Sequence, residues 1–268
     1  KHQLEGIQRA VATRDYAFLW DMGTGKTSTT INTIRHRFAE NKRVMRTLIL
    51  CPIVITENWR REFVAHSNVG HLAWVLKGSQ KERIEQFKLK SSTNPSHFFI
   101  TNYESLQMKE LLQLLLNWKP EILVCDESQR LKSHDAVRSK MAAILAKNTA
   151  HNYILSGTPI LNSPLDIFQQ YKVLDRGATF GENFWIFRAK YFYDENAGIP
   201  ADRHFPKFRL QKGMEPVFNK MIYAKASRVV KKDCLDLPDL VRVEIGVELA
   251  PDQRRVYNEM KRDFIAYL

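Results

Sequence analysis

The sequence lacks the features that mark disulfide-stabilised, metal-clustered and membrane-inserted proteins. Only three of the 268 residues are cysteines, Cys51, Cys125 and Cys234, and their odd number and wide spacing fit neither a disulfide framework nor a metal cluster. No run approaches the ~20 apolar residues of a membrane span, and no secretory signal opens the chain. We therefore expect reduced thiols in an intracellular protein that has no membrane partner.

The composition is typical of a globular domain with an excess of positive charge. Hydrophobic residues make up 44% of the chain, and 268 residues suffice for one large core with an appendage. The formal net charge of +12 favours polyanionic partners such as nucleic acid without identifying one. Both ends fall within predicted helices, so we expect the chain to be part of a longer protein.

Short apolar stretches alternate with longer amphipathic ones over the first 175 residues. Strands are predicted at residues 17–20, 47–51, 72–76, 98–101, 122–125 and 153–155. Helices are predicted at residues 3–12, 26–38, 56–66, 81–87, 106–116, 136–146 and 165–173. Strands that are apolar throughout indicate a sheet buried on both faces, and their alternation with helices favours parallel order. The predicted fold class is α/β, with a mostly parallel central sheet flanked by helices.

The character of the chain changes after about residue 175. Residues 180–240 are rich in aromatic and basic side chains and are interrupted by four prolines. Residues 241–249 alternate like a half-exposed strand, which makes them a candidate for the edge of the sheet, and Pro251 opens a final helix. We therefore predict a lobe over residues 1–175 and a helical extension over residues 176–268 that packs on it.

The strongest local motif follows the first predicted strand and opens the next helix. It consists of Asp21, Met22, Gly23, Thr24, Gly25, Lys26 and Thr27. A glycine-rich turn at a helix start directs backbone N–H groups and the positive end of the helix dipole toward one point, which favours phosphate binding. Lys26 would reach the β- and γ-phosphates of a nucleotide, and the Thr27 hydroxyl would ligate magnesium. The strict pattern has glycine at the position of Trp20, so an ordinary strand–helix turn stays open as an alternative for this motif alone.

A pair of adjacent acids supplies the second half of the predicted site. Asp126 and Glu127 directly follow the strand predicted at residues 122–125, and Asp126 lies 100 positions beyond Lys26. Charged residues at the carboxyl end of a central strand lie where a doubly wound sheet binds its ligand. Asp126 would hold magnesium, and Glu127 would orient and deprotonate the attacking water. The two elements together predict a site for ATP and magnesium.

The order of these and further motifs resembles the first RecA-like, P-loop lobe of a SWI/SNF-type ATPase, a branch of helicase superfamily two. The resemblance also rests on residues 1–6, 48–63, 101–104, 126–132 and 155–162. Residues 180–191, 227–233, 237–238 and 249–257 resemble the helical extension of the same branch, which simple RNA helicases of the superfamily lack. The sequence of the phosphate loop, residues 21–27, is more similar to that of bacterial and phage members than to that of eukaryotic remodellers.

The resemblance implies roles for further residues. Gln3 would contact the adenine. Gln129, which belongs to the same motif as the two acids (residues 126–132), would form a hydrogen bond across the site. Contacts with the DNA backbone, or coupling of DNA to the nucleotide, would come from Trp59, Arg60, Arg61, Thr101, Asn102, Tyr103, Ser156, Gly157, Thr158 and Pro159. Trp59 also fits a role in core packing, and the basic interval 203–232 fits either a DNA-facing surface or a solvated face.

Some positions depart from the family's pattern. Gln129 replaces a common histidine, Ser156 replaces a common threonine, and Trp20 stands where an acid is usual. The glutamine and the serine keep the capacity to form hydrogen bonds. We expect the family's second lobe, with the arginines that stabilise the transferred phosphoryl group, to lie outside these 268 residues, and the chain alone to bind nucleotide weakly and to hydrolyse it negligibly.

The leading hypothesis is therefore the ATP-binding lobe of a motor that hydrolyses ATP and moves along duplex DNA without separating its strands. Its expected partners are duplex DNA and a second lobe of the same protein. Its expected location is the cytoplasm if the source is bacterial and the nucleus if it is eukaryotic. A strand-separating DNA or RNA helicase, a restriction-system motor, and a nucleotide-gated binding module without turnover are the alternatives. The intact set of Lys26, Thr27, Asp126 and Glu127 argues against the binding module.

Overall fold

The computed structural model describes residues 1–93, 98–160, 163–198, 205–234, 243 and 245–266. The chain divides into two compact units, Lys1–Leu235 and Asp236–Leu268. Several residues on which the resemblance rests lie outside the described part of the chain, namely Leu161, Asn162, Leu237 and Pro238, and so does Arg203 of the basic interval.

A seven-stranded sheet, parallel throughout, forms the centre of the first unit. The described strands are β1 (Tyr16–Trp20), β2 (Thr47–Cys51), β3 (Ala73–Val75), β4 (Phe98–Asn102), β5 (Ile122–Asp126), β6 (His151–Leu155), β7 (Phe192–Asp194), β8 (Phe208–Leu210) and β9 (Ala226–Val229). The spatial order in the sheet is β3-β4-β2-β5-β6-β1-β9, and β7 and β8 form a separate antiparallel pair. All residues of β1, β2, β4 and β5 are buried, as expected for apolar strands covered on both faces. The predicted α/β class is confirmed.

Helices cover both faces of this sheet. In the first unit they are α1 (His2–Ala12), α2 (Lys26–Asn41), α3 (Thr56–His66), α4 (Gln80–Thr93), α5 (Lys109–Trp118), α6 (Val137–Lys147), α7 (Ile167–Asp175), α8 (Phe184–Tyr191), α9 (Glu215–Tyr223) and α10 (Lys231–Cys234). Successive residues of a strand point to opposite faces. Leu48 and Leu50 of β2 accordingly belong to one hydrophobic core, whereas Ile49 and Cys51 belong to the other. The sheet therefore lies between two packed layers.

The helix predicted at residues 106–116 begins later than expected, at Lys109, because the 3₁₀ turn Tyr103–Gln107 precedes it. The Ser105 hydroxyl lies 2.7 Å from Thr101 Oγ1 and donates to Asn102 Oδ1 over 2.7 Å. Short polar side chains that form such local bonds compete with the helical arrangement of the backbone. The turn at the end of β4 is therefore fixed by side chains and not by helix propensity.

The edge of the sheet next to β1 is formed by β9, and the expectation that residues 241–249 return there is wrong. Val243 and residues 245–249, the described part of that stretch, form no strand, while residues 241, 242 and 244 lie outside the described residues. β9 pairs with β1 from Ala17 opposite Ala226 to Trp20 opposite Val229. Its four residues mix polar and apolar side chains, so the pattern of fully apolar strands does not detect it.

The segment after residue 175 shares a core with the lobe. Phe180 stacks on Phe218 with 5.0 Å between the ring centroids, and it meets Tyr171 of α7 edge to face at 5.3 Å. Tyr171 Oη also donates to the carbonyl of Ile222 in α9 over 2.7 Å. The aromatic residues of this segment thus serve packing within the first unit, to which the segment adds β7, β8 and β9 besides its helices.

The second unit contains α11 (Pro251–Ala266), which begins at the proline predicted to open it. Proline is favoured in the first turn of a helix because its missing N–H needs no partner there. The Ala250 N–H donates to Gln253 Oε1 over 3.2 Å at the start of this helix. In the described ranges, every helix is too short or too polar to cross a bilayer.

Candidate functional site

Loops that follow neighbouring strands meet at one edge of the sheet. Because β6 lies between β5 and β1, the carboxyl ends of these strands are adjacent, and this is where open α/β sheets bind their ligands. A cleft of about 590 Å³ opens there, within the usual size range of small-molecule sites. It is lined by Met22, Gly23, Gly25, Lys26, Thr27, Ser28, Ile55, Asn58, Trp59, Glu62, His66, Asp126 and Glu127. The glycine-rich loop and the acid pair therefore share one cleft.

Two glycines give the phosphate loop its shape. Gly23 and Gly25 have φ values of +83° and +86°, a region that favours glycine. A Cβ atom on Gly25 would collide with the amide of Gln3. The Thr24 carbonyl is contacted by His2 Nε2 at 2.8 Å and accepts from Gln3 Nε2 at 3.4 Å. Helix α1 is thus tied directly to the loop, and His2 is a contact that the sequence did not reveal.

Lys26 is buried at the start of α2, with its ammonium group directed into the loop. Lys26 Nζ donates to the carbonyls of Trp20 (2.9 Å) and Asp21 (3.2 Å). Burial lowers the pKa of Lys26, and the nearby charges of Glu127, Asp126 and Asp21 oppose this effect. The lysine therefore lies close enough to the acid pair to be stabilised by it, although a hundred positions separate them in the sequence.

Asp126 is buried at the end of β5 and is held by two neutral donors. Its Oδ2 accepts from Trp59 Nε1 over 2.8 Å, and its Oδ1 accepts from the backbone N–H of Glu127 over 2.9 Å. The pKa of Asp126 is raised to about 6, chiefly by burial; the charge of Glu127 also raises it, whereas the bond from Trp59 and the charge of Lys26 lower it. The hydrogen bonds to the carboxylate thus come from uncharged donors, and the Lys26 ammonium group is close enough to stabilise its negative charge.

Glu127 and Gln129 begin a chain of hydrogen bonds that leads to the loop after β6. Glu127 has φ +50° and ψ +53°, a left-handed conformation that is costly for a residue with a side chain. Gln129 Nε2 donates to Glu127 Oε2 (2.7 Å), and Ser156 Oγ donates to Gln129 Oε1 (2.7 Å). The Ser156 hydroxyl in turn accepts from the Thr158 N–H at 3.1 Å. Gln129 therefore bonds at both ends of its amide, which explains how glutamine serves where histidine is common.

The remaining residues of the loop after β6 lie against the same site. A Cβ atom on Gly157 would lie 3.5 Å from the Trp20 carbonyl, so this glycine borders the phosphate loop. The Pro159 carbonyl accepts from Gln170 Nε2 (2.6 Å), and Gln170 Oε1 accepts from Ser128 Oγ (2.7 Å). The buried Gln170 thus links the two loops. Nothing in its sequence context singles it out, because its partners come from distant motifs.

The SNF2-related domain family matches residues 16–267 of the chain. This chain belongs to the SNF2-related domain family. The resemblance to SWI/SNF-type ATPases is therefore confirmed.

Relatives of this SNF2-related domain come from an insect, a phage and an archaeon. A DNA repair and recombination protein RAD54-like of Drosophila ananassae is 27% identical over 177 residues, 61% of this chain and 22% of that protein. Putative protein p41 of Acyrthosiphon pisum secondary endosymbiont phage 1 is 25% identical over 262 residues, 92% of this chain and 54% of that protein. The Sulfolobus solfataricus SWI2/SNF2 ATPase core in complex with dsDNA has the same fold, with a TM-score of 0.67 and 22% identity over 99% of this chain and 52% of that chain. The chain thus spans about half of these relatives, or less.

In the SNF2-related domain, Trp59 lies in the cleft beside the acid pair. Its side chain is 1% exposed and bonds to Asp126, so its position fits core packing and a link to the nucleotide site better than a direct contact with DNA. Thr101, Asn102 and Tyr103 are also buried. Their hydroxyl, amide and phenol groups form internal bonds, such as the 2.7 Å bond from Tyr103 Oη to the Asp126 carbonyl.

Only some of the residues predicted to contact DNA, or to couple it to the nucleotide, have exposed side chains. On α3, Arg61 is exposed and Arg60 is half-buried, and Arg60 pairs with Glu57 one turn earlier. In the loop after β6, Thr158 is exposed, whereas Ser156 is buried. Sequence motifs group residues by position along the chain, so they do not separate side chains that face outward from those that support them.

Trp20, which departs from the family's pattern, ties β1 to the elements on either side of it. Its Nε1 donates to Ser227 Oγ of β9 over 2.8 Å, and its ring meets His2 edge to face at 5.4 Å. The ring also packs against Gly6 of α1, where a Cβ atom would lie 2.5 Å from Trp20 Cζ2. A large buried side chain thus replaces the usual acid and fixes both α1 and β9 beside the phosphate loop.

Trp59→Phe is expected to destabilise this lobe, and to do so more at pH 8 than at pH 5. The change keeps an aromatic ring but removes the donor to Asp126, and a hydrogen bond to a charged group contributes about 1.5–3 kcal/mol. With its pKa raised to about 6, Asp126 is ionised at pH 8 and mostly neutral at pH 5. Because this bond favours the ionised form, its contribution is present above the pKa and is lost as the pH falls through it. Denaturant unfolding at both pH values measures the difference.

The matched control for this substitution is Tyr171→Phe. It also removes a buried aromatic donor, but the acceptor is the uncharged carbonyl of Ile222. We therefore expect Tyr171→Phe to change the free energy of unfolding by the same amount at both pH values. Equal losses at pH 5 and pH 8 for Trp59→Phe would contradict the assigned role of its indole N–H.

Proposed function

We propose that this chain is the ATP-binding lobe of a DNA-dependent ATPase that moves along duplex DNA. The observation that carries the proposal is the convergence of Lys26 with Asp126 and Glu127 in one cleft. An ammonium group suits the phosphates of a nucleotide, and adjacent carboxylates suit a divalent cation and a water molecule. Membership of the SNF2-related family supports the same conclusion.

The residues of the cleft fit magnesium. The buried Asp126 carboxylate has only neutral hydrogen-bond donors among the described residues, so a divalent cation would compensate its charge. The Thr27 hydroxyl lines the same cleft. Asp126 and Thr27 would hold the ion, and Lys26 would hold the β- and γ-phosphates. When bound, Mg²⁺ offsets the negative charge that develops on the phosphates.

Glu127 is the proposed general base. Gln129 holds one carboxylate oxygen over 2.7 Å, which limits the orientations of the side chain, as a general base requires. Through Gln129 and Ser156 the carboxylate is connected to the N–H of the exposed Thr158. A shift of the Thr158 loop on DNA binding would therefore reach the base through three hydrogen bonds. This connection gives DNA a physical means of changing the hydrolysis rate.

Duplex DNA is the proposed polyanion. The net charge of +12 and the exposed Arg61 of α3 provide the attraction that phosphate contacts require. The names of two relatives, which refer to DNA repair and to a complex with dsDNA, support duplex DNA over RNA. Contacts with phosphate carry no sequence information, so the motion would be largely independent of sequence.

A second lobe of the same protein would complete the catalytic site. The chain spans 52% of the Sulfolobus ATPase core that it resembles, which leaves room for another lobe of similar size. Arginines from that lobe would stabilise the charge on the transferred phosphoryl group. Hydrolysis would therefore depend on the approach of the two lobes, which DNA bound across both would promote.

The test is an ATPase assay of the full-length protein with duplex DNA, single-stranded DNA and RNA as separate activators. We expect duplex DNA to raise the rate most, with an effect that weakens steeply as salt is added. Translocation should displace a triplex-forming strand without unwinding a fork. An ATPase rate that duplex DNA leaves unchanged would refute the proposal, and efficient fork unwinding would identify a helicase instead.

A further inference from the structure

A second lysine lies beside the phosphate loop, on a segment that the motifs do not assign to the nucleotide. Lys231 is the first residue of α10 and follows the edge strand β9 closely. A Cβ atom on Gly23 would lie 3.5 Å from Lys231 Cε and 4.0 Å from Lys231 Nζ. The end of the Lys231 side chain therefore lies against a glycine that lines the nucleotide cleft.

The backbone of Lys231 is fixed to the phosphate loop. Its N–H donates to Asp21 Oδ2 over 3.0 Å, and the Asp21 N–H donates to the Val229 carbonyl over 2.9 Å. β9 also pairs with β1 up to Trp20, the residue that precedes the loop. Strand pairing and these hydrogen bonds together fix the segment around Lys231 next to the loop. These bonds involve only the main chain of Lys231. The position of its Cα atom therefore does not depend on its side chain.

The ammonium group of Lys231 lies near that of Lys26. It is close enough to Lys26 to lower the pKa of that lysine, so two cations face the same loop. Among the residues that the structure describes, Lys231 forms no ion pair within 4.0 Å of its ammonium nitrogen. The Asp21 carboxylate, which accepts from the Lys231 N–H, and the acid pair offset part of the repulsion between the two cations. A nucleotide polyphosphate at the loop would offset more of it.

We propose that Lys231 is a second phosphate-binding cation for the nucleotide, supplied by the segment that follows β9. The inference rests on the proposed ATP site and adds to it a contact from outside the sequential motifs. The sequence places Lys231 in a basic interval for which DNA is another ligand. The end of its side chain lies beside Gly23, which lines the nucleotide cleft, and this position favours the nucleotide.

The experiment is a titration of the full-length protein with MgATP and with AMP, in the absence of DNA. Lys231→Ala is expected to weaken MgATP binding about three- to tenfold, the effect of one exposed charge-assisted contact, and to leave AMP binding unchanged. Lys231→Arg should restore most of the MgATP affinity because it keeps the charge. The adjacent exposed Lys232 is the matched control, and Lys232→Ala should bind MgATP like the wild type.

The outcomes separate this inference from the proposed function. Equal MgATP affinities for Lys231→Ala and Lys232→Ala would overturn the inference, as would a loss of DNA affinity with unchanged MgATP binding, which would assign the lysine to DNA. Equal weakening of MgATP and AMP, or a lowered melting temperature, would indicate a structural effect and would also overturn it. A wild-type protein that binds no MgATP would refute the ATP site itself.

Discussion

In the full-length protein, Glu127→Gln is expected to lower the DNA-stimulated ATPase rate by about 10²–10⁴-fold, the usual contribution of a general base. The amide has nearly the size and shape of the carboxylate, so the cleft should keep its form. An amide cannot take up the proton of the attacking water, however, and this is the role that the position of Glu127 supports. Affinity for MgATP, measured by fluorescence titration, should remain close to that of the wild type.

The control for this variant is Glu85→Gln, an exposed glutamate of α4 that does not line the cleft. It removes one negative charge as Glu127→Gln does, but its ATPase rate should stay within about twofold of the wild type, as for most surface substitutions. Equal turnover by Glu127→Gln and the wild type would reject Glu127 as the base. A loss of MgATP binding as large as the loss of rate would show that Glu127 acts in binding instead.

The 268-residue chain by itself is expected to hydrolyse ATP about 10³–10⁵ times more slowly than the DNA-activated full-length protein. That range is the contribution of an arginine that stabilises the transferred phosphoryl group in related systems. The nucleotide and its metal would be contacted from one side only, by Lys26, Thr27, Asp126 and Glu127. The negative charge on the transferred phosphoryl group and the leaving group would therefore be stabilised only in part. The measurement is phosphate release by both proteins at saturating MgATP, with and without duplex DNA.

A titration of both proteins with MgATP provides the control, since the comparison of rates holds only where the nucleotide is bound. We expect the chain alone to bind MgATP, although more weakly, and to show little response to DNA. A DNA-stimulated rate from the chain alone within about tenfold of the full-length rate would show that these residues form a complete catalytic site. The need for a second lobe would then be wrong.

The sequence predicts the sheet and the centre of the site because both are encoded locally. Apolar runs such as residues 48–51 mark buried parallel strands, and the loop of Gly23, Gly25 and Lys26 combines two glycines with a helix start. The acid pair at the end of β5 follows the same logic, because parallel order brings the carboxyl ends of strands together. Each of these signals lies within a few consecutive residues.

The rest depends on contacts between distant residues, which no local pattern contains. Trp59 bonds to Asp126 across 67 positions, and Trp20 bonds to Ser227 across 207. Resemblance to a family assigns Trp59 to a motif but does not give the direction in which its side chain points. Lys231 reaches Gly23 only because β9 pairs with β1, a pairing that its mixed sequence does not predict.

The central claim is that the phosphate loop and the acid pair bind the same metal–nucleotide complex. It is tested most directly by replacing Mg²⁺ with Fe²⁺ in the full-length protein with bound ATP, starting localised oxidative cleavage with ascorbate and peroxide, and mapping the cuts by mass spectrometry. We predict cuts around Lys26–Thr27 and around Asp126–Glu127 in the same sample, both suppressed by excess Mg²⁺. Cleavage confined to one of these stretches, or to neither, would contradict the claim.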